Sequence, residues 1–304
     1  MKSTRFLVPL LLALVASPVA SRAAEGAAAT APWKRTEDLI YGRKFGTALT
    51  LDVFEPADRK GNDAAVILVV SGGFFSAKEH INPRFVEPFA ARGYTVFTVV
   101  HGSQPKFTIP EIQQDLHRAV RWIRHNAGRW SVNPERFAVF GASAGGHLSL
   151  VLGTQGGPGD EKAKDAVDRG SSAVQVVACF FPPTDYLNWG EPGDDAVGVG
   201  RLTNFKPAFG PRSDTREGRE TLGREISPLN FVTAKTAPTL IIHGDADGLV
   251  PIYQARLFEK KAKEAGVPFK LVVREGKDHG WPGIEKDLEI FADWFDQSLR
   301  PSAK

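Results

Sequence analysis

The segment Gly141-Ala142-Ser143-Ala144-Gly145 carries the strongest chemical signal in the sequence. It follows the short apolar run 137–140 and precedes a helix-like stretch, so it has the strand, turn and helix context that a G-x-S-x-G motif requires. Glycines on either side of the serine let the backbone turn sharply without Cβ clashes, which exposes the hydroxyl. We predict that Ser143 is a nucleophile. The alternative is a glycine-rich turn whose serine only caps the helix.

A serine hydroxyl is a weak nucleophile near neutral pH and needs a neighbouring base. His279 follows the strand-like run 269–273, and two carboxylates, Asp245 and Asp247, follow the strand-like run 239–243. The order Ser, Asp, His, with each residue just beyond the end of a strand, is one of three chain orders in which this triad occurs. We predict that His279 is the base and that an aspartate holds its ring. A buried structural histidine is the alternative.

The elements that must position these residues follow from hydrophobic patterning. Short, continuous β-branched or aromatic runs predict strands that are covered on both faces, and segments with helical periodicity lie between them. This alternation predicts an α/β fold in which a mostly parallel central sheet is flanked by helices. An alternating segment, 49–54, is predicted to pair with 39–43 as a hairpin. The predicted buried strands are 65–70, 94–100, 137–140, 174–180, 239–243 and 269–273, and the predicted helices are 85–92, 112–123, 145–154, 252–265 and 285–299.

Two regions depart from this alternation. Residues 182–234 are rich in Gly, Pro, Asp and Asn without a clear period, and we predict a loop-rich, cap-like insertion there. At the N-terminus, basic residues precede an apolar run and small residues occupy the cleavage positions, which predicts a signal peptide over 1–23. A mobile segment, 24–40, and a catalytic domain, 41–304, are predicted to follow. We expect a secreted or periplasmic protein, with an uncleaved membrane anchor as the alternative.

The charge balance argues against several function classes. The sequence has 38 Lys and Arg residues against 35 Asp and Glu residues, and loss of Lys2, Arg5 and Arg22 with the leader leaves 35 against 35. A neutral chain lacks the basic face that nucleic acid or an anionic membrane requires, so we expect neither as a partner. The single cysteine, Cys179, lies in an apolar run, which predicts a buried, inert thiol. Zinc-type spacings and a P-loop do not occur in the sequence, so we expect no metal and no cofactor.

With these motifs in this order, residues 41–299 resemble the α/β-hydrolase superfamily, and within it carboxylesterase/lipase-like or feruloyl-esterase-like serine hydrolases. The resemblance implies the α/β-hydrolase fold. The family pattern H-G-x-x-D-x-x-V-P runs here over 243–251, which implies that Asp247 is the functional carboxylate and that Asp245 braces the loop. The implied catalytic residues are Ser143, Asp247 and His279.

The resemblance also implies an oxyanion hole, because acyl transfer needs donors for the developing negative charge. Relatives carry an H-G-G-G-type loop where this chain has Ser71-Gly72-Gly73-Phe74-Phe75. The implied donors are the backbone N–H groups of Gly73, Phe74 and Ala144, with Gly72 as an alternative to either of the first two. A second loop, His101-Gly102-Ser103-Gln104-Pro105, departs from a Tyr-Arg-like stretch of the relatives.

The implied chemistry is ester hydrolysis through an acyl-enzyme. We expect small acyl or aryl esters as substrates, including acyl decorations of plant polysaccharides. Aromatic residues flank the motifs and are candidates for an apolar pocket wall: Phe74, Phe75, Phe181, Trp189 and Trp281. Of these, Phe75 and Trp281 are predicted to bind substrate. One alternative function is a serine exopeptidase of the same fold, which usually carries a large extra domain. The other is a catalytically inactive, hydrolase-like binding module, which normally lacks a triad residue.

Overall fold

The computed structural model describes residues 33–57 and 61–299. Eight strands occur in these ranges: β1 (Trp33–Lys44), β2 (Thr47–Pro56), β3 (Ala65–Val70), β4 (Thr95–Val100), β5 (Phe137–Ala142), β6 (Val176–Phe180), β7 (Thr239–Gly244) and β8 (Phe269–Arg274). They form one sheet in the order β1-β2-β4-β3-β5-β6-β7-β8. β2 is antiparallel to β1 and to β4, and the other neighbouring pairs are parallel. The prediction of a mostly parallel sheet is confirmed.

The same ranges contain seven α-helices: α1 (Glu87–Ala90), α2 (Ile109–His125), α3 (Ala144–Gln155), α4 (Lys206–Phe209), α5 (Arg216–Ile226), α6 (Tyr253–Glu264) and α7 (Leu288–Leu299). The longest, α2, begins after Thr108, whose backbone N–H donates to the Glu111 carboxylate at 2.8 Å, as in a capping box. The predicted apolar face of α2 is buried in the core. Among the described residues, no helix is both long and apolar enough to cross a membrane.

Alternate residues of the central strands pack on opposite faces of the sheet. In β3, Ile67 and Val69 belong to a core that includes residues of α2, α3 and α6. Val66 and Leu68 belong to a second core that includes residues of α1 and α7. Burial of one such aliphatic side chain contributes roughly 1.5–3 kcal/mol to folding. Because helices cover both faces, apolar residues occupy both alternating sets of positions, which produces the continuous apolar runs of the sequence.

The N-terminal hairpin is longer than predicted. β1 already includes residues 33–40, so the predicted mobile segment 24–40 is wrong for that part. An ion pair helps to explain the extension, because Arg35 Nε donates at 3.0 Å to the buried carboxylate of Asp52 on β2. The predicted pairing of the later residues of β1 with β2 is confirmed. The predicted signal peptide, 1–23, and the rest of the segment up to residue 32 lie outside the described residues.

The insertion between β6 and β7 contains more regular structure than predicted. It includes α4 and α5 among short 3-10 turns, although the sequence shows no clear helical period there. In α5, only Leu222, Gly223 and Ile226 are buried, so the helix has too narrow an apolar face to produce a periodic signal. Gly223 is needed for close packing, because a Cβ atom at this position would lie 2.6 Å from the Leu187 side chain. The insertion is therefore packed onto the domain rather than a loose excursion.

Candidate active site

Ser143 lies at the sharp turn between β5 and α3. Its backbone has φ 53° and ψ −119°, a strained conformation for a residue with a side chain. A Cβ atom at Gly141 would lie 2.5 Å from the backbone of Gly145, and one at Gly145 would lie 2.7 Å from the carbonyl oxygen of Val69. Both glycines are thus required for the turn. Ser143 N–H donates to the carbonyl oxygen of Phe180 at 3.0 Å, which fixes the turn against β6.

Three of the predicted side chains lie in one hydrogen-bonded row. His279 Nε2 is 2.8 Å from Ser143 Oγ, and His279 Nδ1 is 2.8 Å from Asp247 Oδ2. An ionised carboxylate only accepts hydrogen bonds, so Nδ1 carries the ring proton and Nε2 is left as an acceptor for the serine hydroxyl. The Asp247 side chain is fully buried, whereas 19% of the His279 side chain is exposed. In this arrangement the imidazole can take the Ser143 proton.

Asp247 is held in its ionised form. Burial raises its pKa, but hydrogen bonds from His243 and His279 outweigh burial, and the net pKa lies below the usual value. The backbone N–H groups of Leu249 and Val250 donate to Oδ1 at 2.9 and 2.8 Å. His243 is fully buried, and its Nε2 lies 2.8 Å from the Val250 carbonyl oxygen and 3.4 Å from Asp247 Oδ2. The sequence motif contained His243, but nothing in the pattern predicted its contact with the carboxylate.

The neighbouring carboxylates have other partners. Asp245 Oδ1 accepts the Gly276 N–H at 2.6 Å. Asp278 Oδ1 accepts the N–H groups of Gly248 and His279 at 2.9 and 2.7 Å, and these bonds lower its pKa. Both side chains therefore fasten residues 275–281, which we call the histidine loop, while Asp247 is the carboxylate that contacts the imidazole.

Two of the predicted oxyanion-hole residues, Gly73 and Phe74, lie in a tight turn after β3, and the third, Ala144, begins α3. Gly72 and Phe75 exchange two backbone hydrogen bonds of 3.0 and 2.9 Å, and the two central residues, Gly73 and Phe74, have φ values of 54° and 66°. Positive φ at both central positions is typical of a type I′ turn. Gly72 already donates its N–H to Phe75, so it is not available as the alternative donor. The N–H groups of Gly73, Phe74 and Ala144 donate to no other described residue.

Comparison with known proteins identifies the family. Residues 51–262, more than half of the chain, match the model of the BD-FAE family. The chain belongs to the BD-FAE family. It is also similar to the esterase LipQ of Mycobacterium tuberculosis, with 25% identity over 237 residues that cover 76% of this chain and 53% of LipQ. The chain spans about half the length of the curated relatives it matches.

Solved structures give the same architecture. The esterase Est2 of Thermogutta terrifontis, solved with butyrate bound, is 25% identical, with a TM-score of 0.68 over 90% of this chain and 97% of that one. An acetyl ester-xyloside bifunctional hydrolase of Caldicellulosiruptor lactoaceticus is also 25% identical, with a TM-score of 0.69 over 83% of this chain and 88% of that one. This BD-FAE family member thus has the α/β-hydrolase fold, as predicted.

A cavity of about 340 Å³ opens beside Ser143 and His279. Its wall is almost entirely apolar and includes three of the predicted aromatic residues, Phe74, Phe181 and Trp189. The insertion supplies further wall residues that the sequence did not predict: Tyr186, Leu202 and Phe205. Gly73, Phe74 and Ala144 also line the cavity, so the three free N–H groups and the serine share one space.

The two residues predicted to bind substrate are placed elsewhere. Phe75 and Trp281 do not line this cavity. The Phe75 residue is 46% exposed. Trp281 packs edge-on against Phe181 at 5.8 Å and donates its indole N–H to Asp287 at 3.1 Å, so it stands behind the cavity wall. Proximity to a motif along the chain was therefore a poor guide to contact with the cavity.

Proposed function

We propose that this BD-FAE family member is a serine carboxylic-ester hydrolase that works through an acyl-enzyme. The observation that carries the proposal is the continuous row of hydrogen bonds from Ser143 Oγ through His279 to Asp247, with 2.8 Å at each step. Ser143, at one end of the row, lines an apolar cavity that suits an ester substrate. Several curated relatives of this chain, LipQ among them, are named esterases, which also supports the proposal.

In the first half of the proposed reaction, Ser143 Oγ attacks the carbonyl carbon while its proton passes to His279 Nε2. The imidazole becomes positively charged and is stabilised by the ionised Asp247 carboxylate. His279 then gives the proton to the leaving alkoxide oxygen as the ester bond breaks. The alcohol departs and the acyl group remains on Ser143.

The free N–H groups of Gly73, Phe74 and Ala144 are the proposed oxyanion donors. They are already in place before the reaction, so charge develops on the substrate oxygen without a cost of reorganising the site. Loss of one such donor costs about 3 kcal/mol in the activation barrier. In the second half, His279 takes a proton from water, the water oxygen attacks the acyl carbon, and the carboxylic acid is released as Ser143 recovers its proton.

Small acyl groups are the proposed substrates. A cavity of about 340 Å³ lies near the lower end of the usual range for ligand sites, and its apolar wall suits a short aliphatic or aryl acyl group. Est2, which is similar in structure, was solved with butyrate. The similar bifunctional hydrolase is named for an acetyl ester, which supports an acyl decoration of a polysaccharide as the natural ester. Export through a signal peptide over 1–23 would bring the protein to such a substrate.

Turnover of a panel of substrates tests this function. The panel consists of para-nitrophenyl acetate, butyrate and octanoate, methyl ferulate, acetylated xylan and an aminoacyl-anilide. We expect wild type to prefer acetate or butyrate, and Ser143→Ala to lose at least about 10⁴-fold in kcat, because removal of such a nucleophile can cost roughly 10⁶-fold. Ester turnover that survives in Ser143→Ala would exclude Ser143 as the nucleophile. Preference for the anilide would indicate a peptidase, and no turnover of any substrate by wild type would indicate a binding module.

A further inference from the structure

A second loop fastens the turn that carries the proposed oxyanion donors. Gln104 belongs to residues 101–105, the bracing loop, which follows β4. Its side-chain Nε2 donates to the carbonyl oxygen of Gly73 at 2.6 Å, and its backbone N–H donates to the carbonyl oxygen of Phe74 at 3.2 Å. Gln104 is only 4% exposed and does not line the cavity. One residue thus holds both central carbonyl groups of the 72–75 turn without access to substrate.

The hydrogen bond from Gln104 to the Gly73 carbonyl acts on the peptide group that carries a proposed oxyanion donor, the Phe74 N–H. The Gly73 carbonyl and the Phe74 N–H belong to the same planar trans peptide, so they point in opposite directions. A donor that fixes the carbonyl on one side therefore fixes the direction of the N–H on the other. The same bond withdraws electron density from the peptide, which makes the N–H a stronger donor. Phe74 itself lines the cavity.

The 72–75 turn needs the hydrogen bonds from Gln104 because its backbone is strained. Phe74 has φ 66°, in the left-handed region that residues with side chains avoid. Strained conformations of this kind persist only where surrounding contacts hold them. Rotation of the Gly73–Phe74 peptide would relieve the strain and turn the Phe74 N–H away from its present direction. The Gln104 bond opposes that rotation, because it would leave the Gly73 carbonyl without its donor.

The bracing loop is itself well anchored. Ser103 Oγ donates to the Ser76 carbonyl and accepts the Ser76 N–H, each at 2.8 Å. The Gly102 N–H donates to the buried Asp115 carboxylate at 3.0 Å, and the Asp115 charge is paired with Lys44 at 2.7 Å. Gln104 is therefore preceded by two anchored residues, which hold the bracing loop in place.

We propose that Gln104 is a positioning residue of the oxyanion hole, which acts by aiming the Phe74 N–H. The proposal rests on the proposed function.

The test uses Gln104→Met, which keeps the length of the side chain but has no N–H donor. We expect kcat/KM for phenyl acetate to fall about tenfold to hundredfold, below the loss for removing a donor outright, while KM changes less than threefold. The decisive readout is the ratio of kcat/KM for phenyl acetate to that for phenyl thionoacetate. Sulfur is a weak hydrogen-bond acceptor, so a misaimed N–H lowers the rate on the oxygen ester far more than the rate on the thiono ester. We expect the ratio to fall at least fivefold.

Two further variants keep the test decisive. Gln104→Asn draws the amide back by one methylene while keeping a polar side chain, and it should lower the ratio in the same way if Gln104→Met folds poorly. Gln155→Met is the matched control: the Gln155 Nε2 is buried without a hydrogen-bond partner and Gln155 does not line the cavity, so the ratio should equal that of wild type. A wild-type ratio in both Gln104 variants, with Ser143→Ala inactive, would overturn the positioning role and leave the proposed function intact. Activity in Ser143→Ala would overturn the proposed function itself.

Discussion

The 72–75 turn and the histidine loop both border the cavity beside Ser143, but different chemistry holds them. The turn is fastened by two uncharged groups of Gln104: its side-chain amide donates to the Gly73 carbonyl, and its backbone N–H donates to the Phe74 carbonyl. The histidine loop is fastened by carboxylates, since Asp245 and Asp278 accept backbone N–H groups within it or from the loop after β7. The groups that bond to the turn itself are uncharged, whereas carboxylates fasten the histidine loop; the Asp115 carboxylate, paired with Lys44, bonds to the bracing loop and not to the turn.

This difference matches the charges of the proposed reaction. Negative charge develops on the substrate oxygen beside the 72–75 turn, and positive charge develops on His279. Two unit charges 4 Å apart interact by about 4 kcal/mol at an effective dielectric constant of 20. A carboxylate under the turn would therefore oppose the reaction by an amount comparable to the worth of one oxyanion donor, while carboxylates near the imidazole favour it. An uncharged residue therefore supports the turn, where negative charge develops, and carboxylates support the loop of His279, where positive charge develops.

The largest predicted effect is a difference in kcat between variants of two carboxylates near His279, Asp247 and Asp245. Asp247→Asn should lower kcat about 10⁴-fold, because an amide favours the wrong imidazole tautomer and no longer stabilises the imidazolium. Asp245→Asn should lower kcat less than about tenfold, since its amide oxygen still accepts the Gly276 N–H. Steady-state kinetics with para-nitrophenyl acetate measure both. Equal losses in the two variants would mean that Asp245 shares the role of Asp247, and the contrast between catalytic and supporting carboxylates would fail.

The next effect concerns the turn. Gly73→Ala places a Cβ atom 2.5 Å from the Phe205 ring, at a positive φ that residues with side chains avoid, so the ring must move and the strained backbone favours a shift of the turn. We expect kcat to fall about 10²- to 10³-fold, as for the loss of one oxyanion donor. Gly72→Ala is the matched control, because nothing lies within 4 Å of a Cβ atom there and its φ is not positive. Its loss should be at least tenfold smaller. Similar losses would show that the turn tolerates no side chain at all, rather than depending on the geometry of Gly73.

Patterning was sufficient to predict the sheet and the position of the serine. The strand 65–70 was predicted with its observed bounds, because burial on both faces produces a continuous apolar run with clear ends. The turn at Ser143 followed from two glycines whose missing side chains make room for the backbone. These features are local in sequence, so a short segment contains the information that determines them.

Contacts between distant loops could not be predicted in this way. Phe205 reaches the cavity from a region without any hydrophobic period, and Gln104 bonds to Gly73 across 31 positions of the chain. Gly72 remained an alternative donor on sequence alone, until its bond to Phe75 removed it. Each of these facts depends on where two loops meet, and loop conformation carries no periodic signal.

The smallest predicted effect is a change in the free energy of unfolding with pH, which differs between the groups near the 72–75 turn and those near His279. His147 is fully buried on α3, with its ring 5.7 Å from that of Phe74. Burial lowers its pKa from 6.5 to about 3. Between those values the unfolded chain binds a proton that the folded protein does not, so the free energy of unfolding falls as pH decreases below about 6.5. The pKa values of Asp247 and Asp278 are lowered from 3.8, so their contributions to stability are lost only at still lower pH.

Moderate acid should therefore destabilise the protein through buried imidazoles, that of His147 among them, while Asp247 and Asp278 keep their charge. For one such histidine, the free energy of unfolding should decrease by at most about 1.4 kcal/mol per pH unit below 6.5. Urea unfolding at pH 7.5, 6.0 and 5.0 measures this slope. His147→Gln should reduce the slope by up to about 1.4 kcal/mol per pH unit, which corresponds to the uptake of one proton on unfolding. Burial lowers the pKa values of His101 and His117 to about 4, so these two residues keep part of the slope in the variant. An unchanged slope in His147→Gln would show that acid acts elsewhere, and the two sides of Ser143 would then not differ in their response to pH.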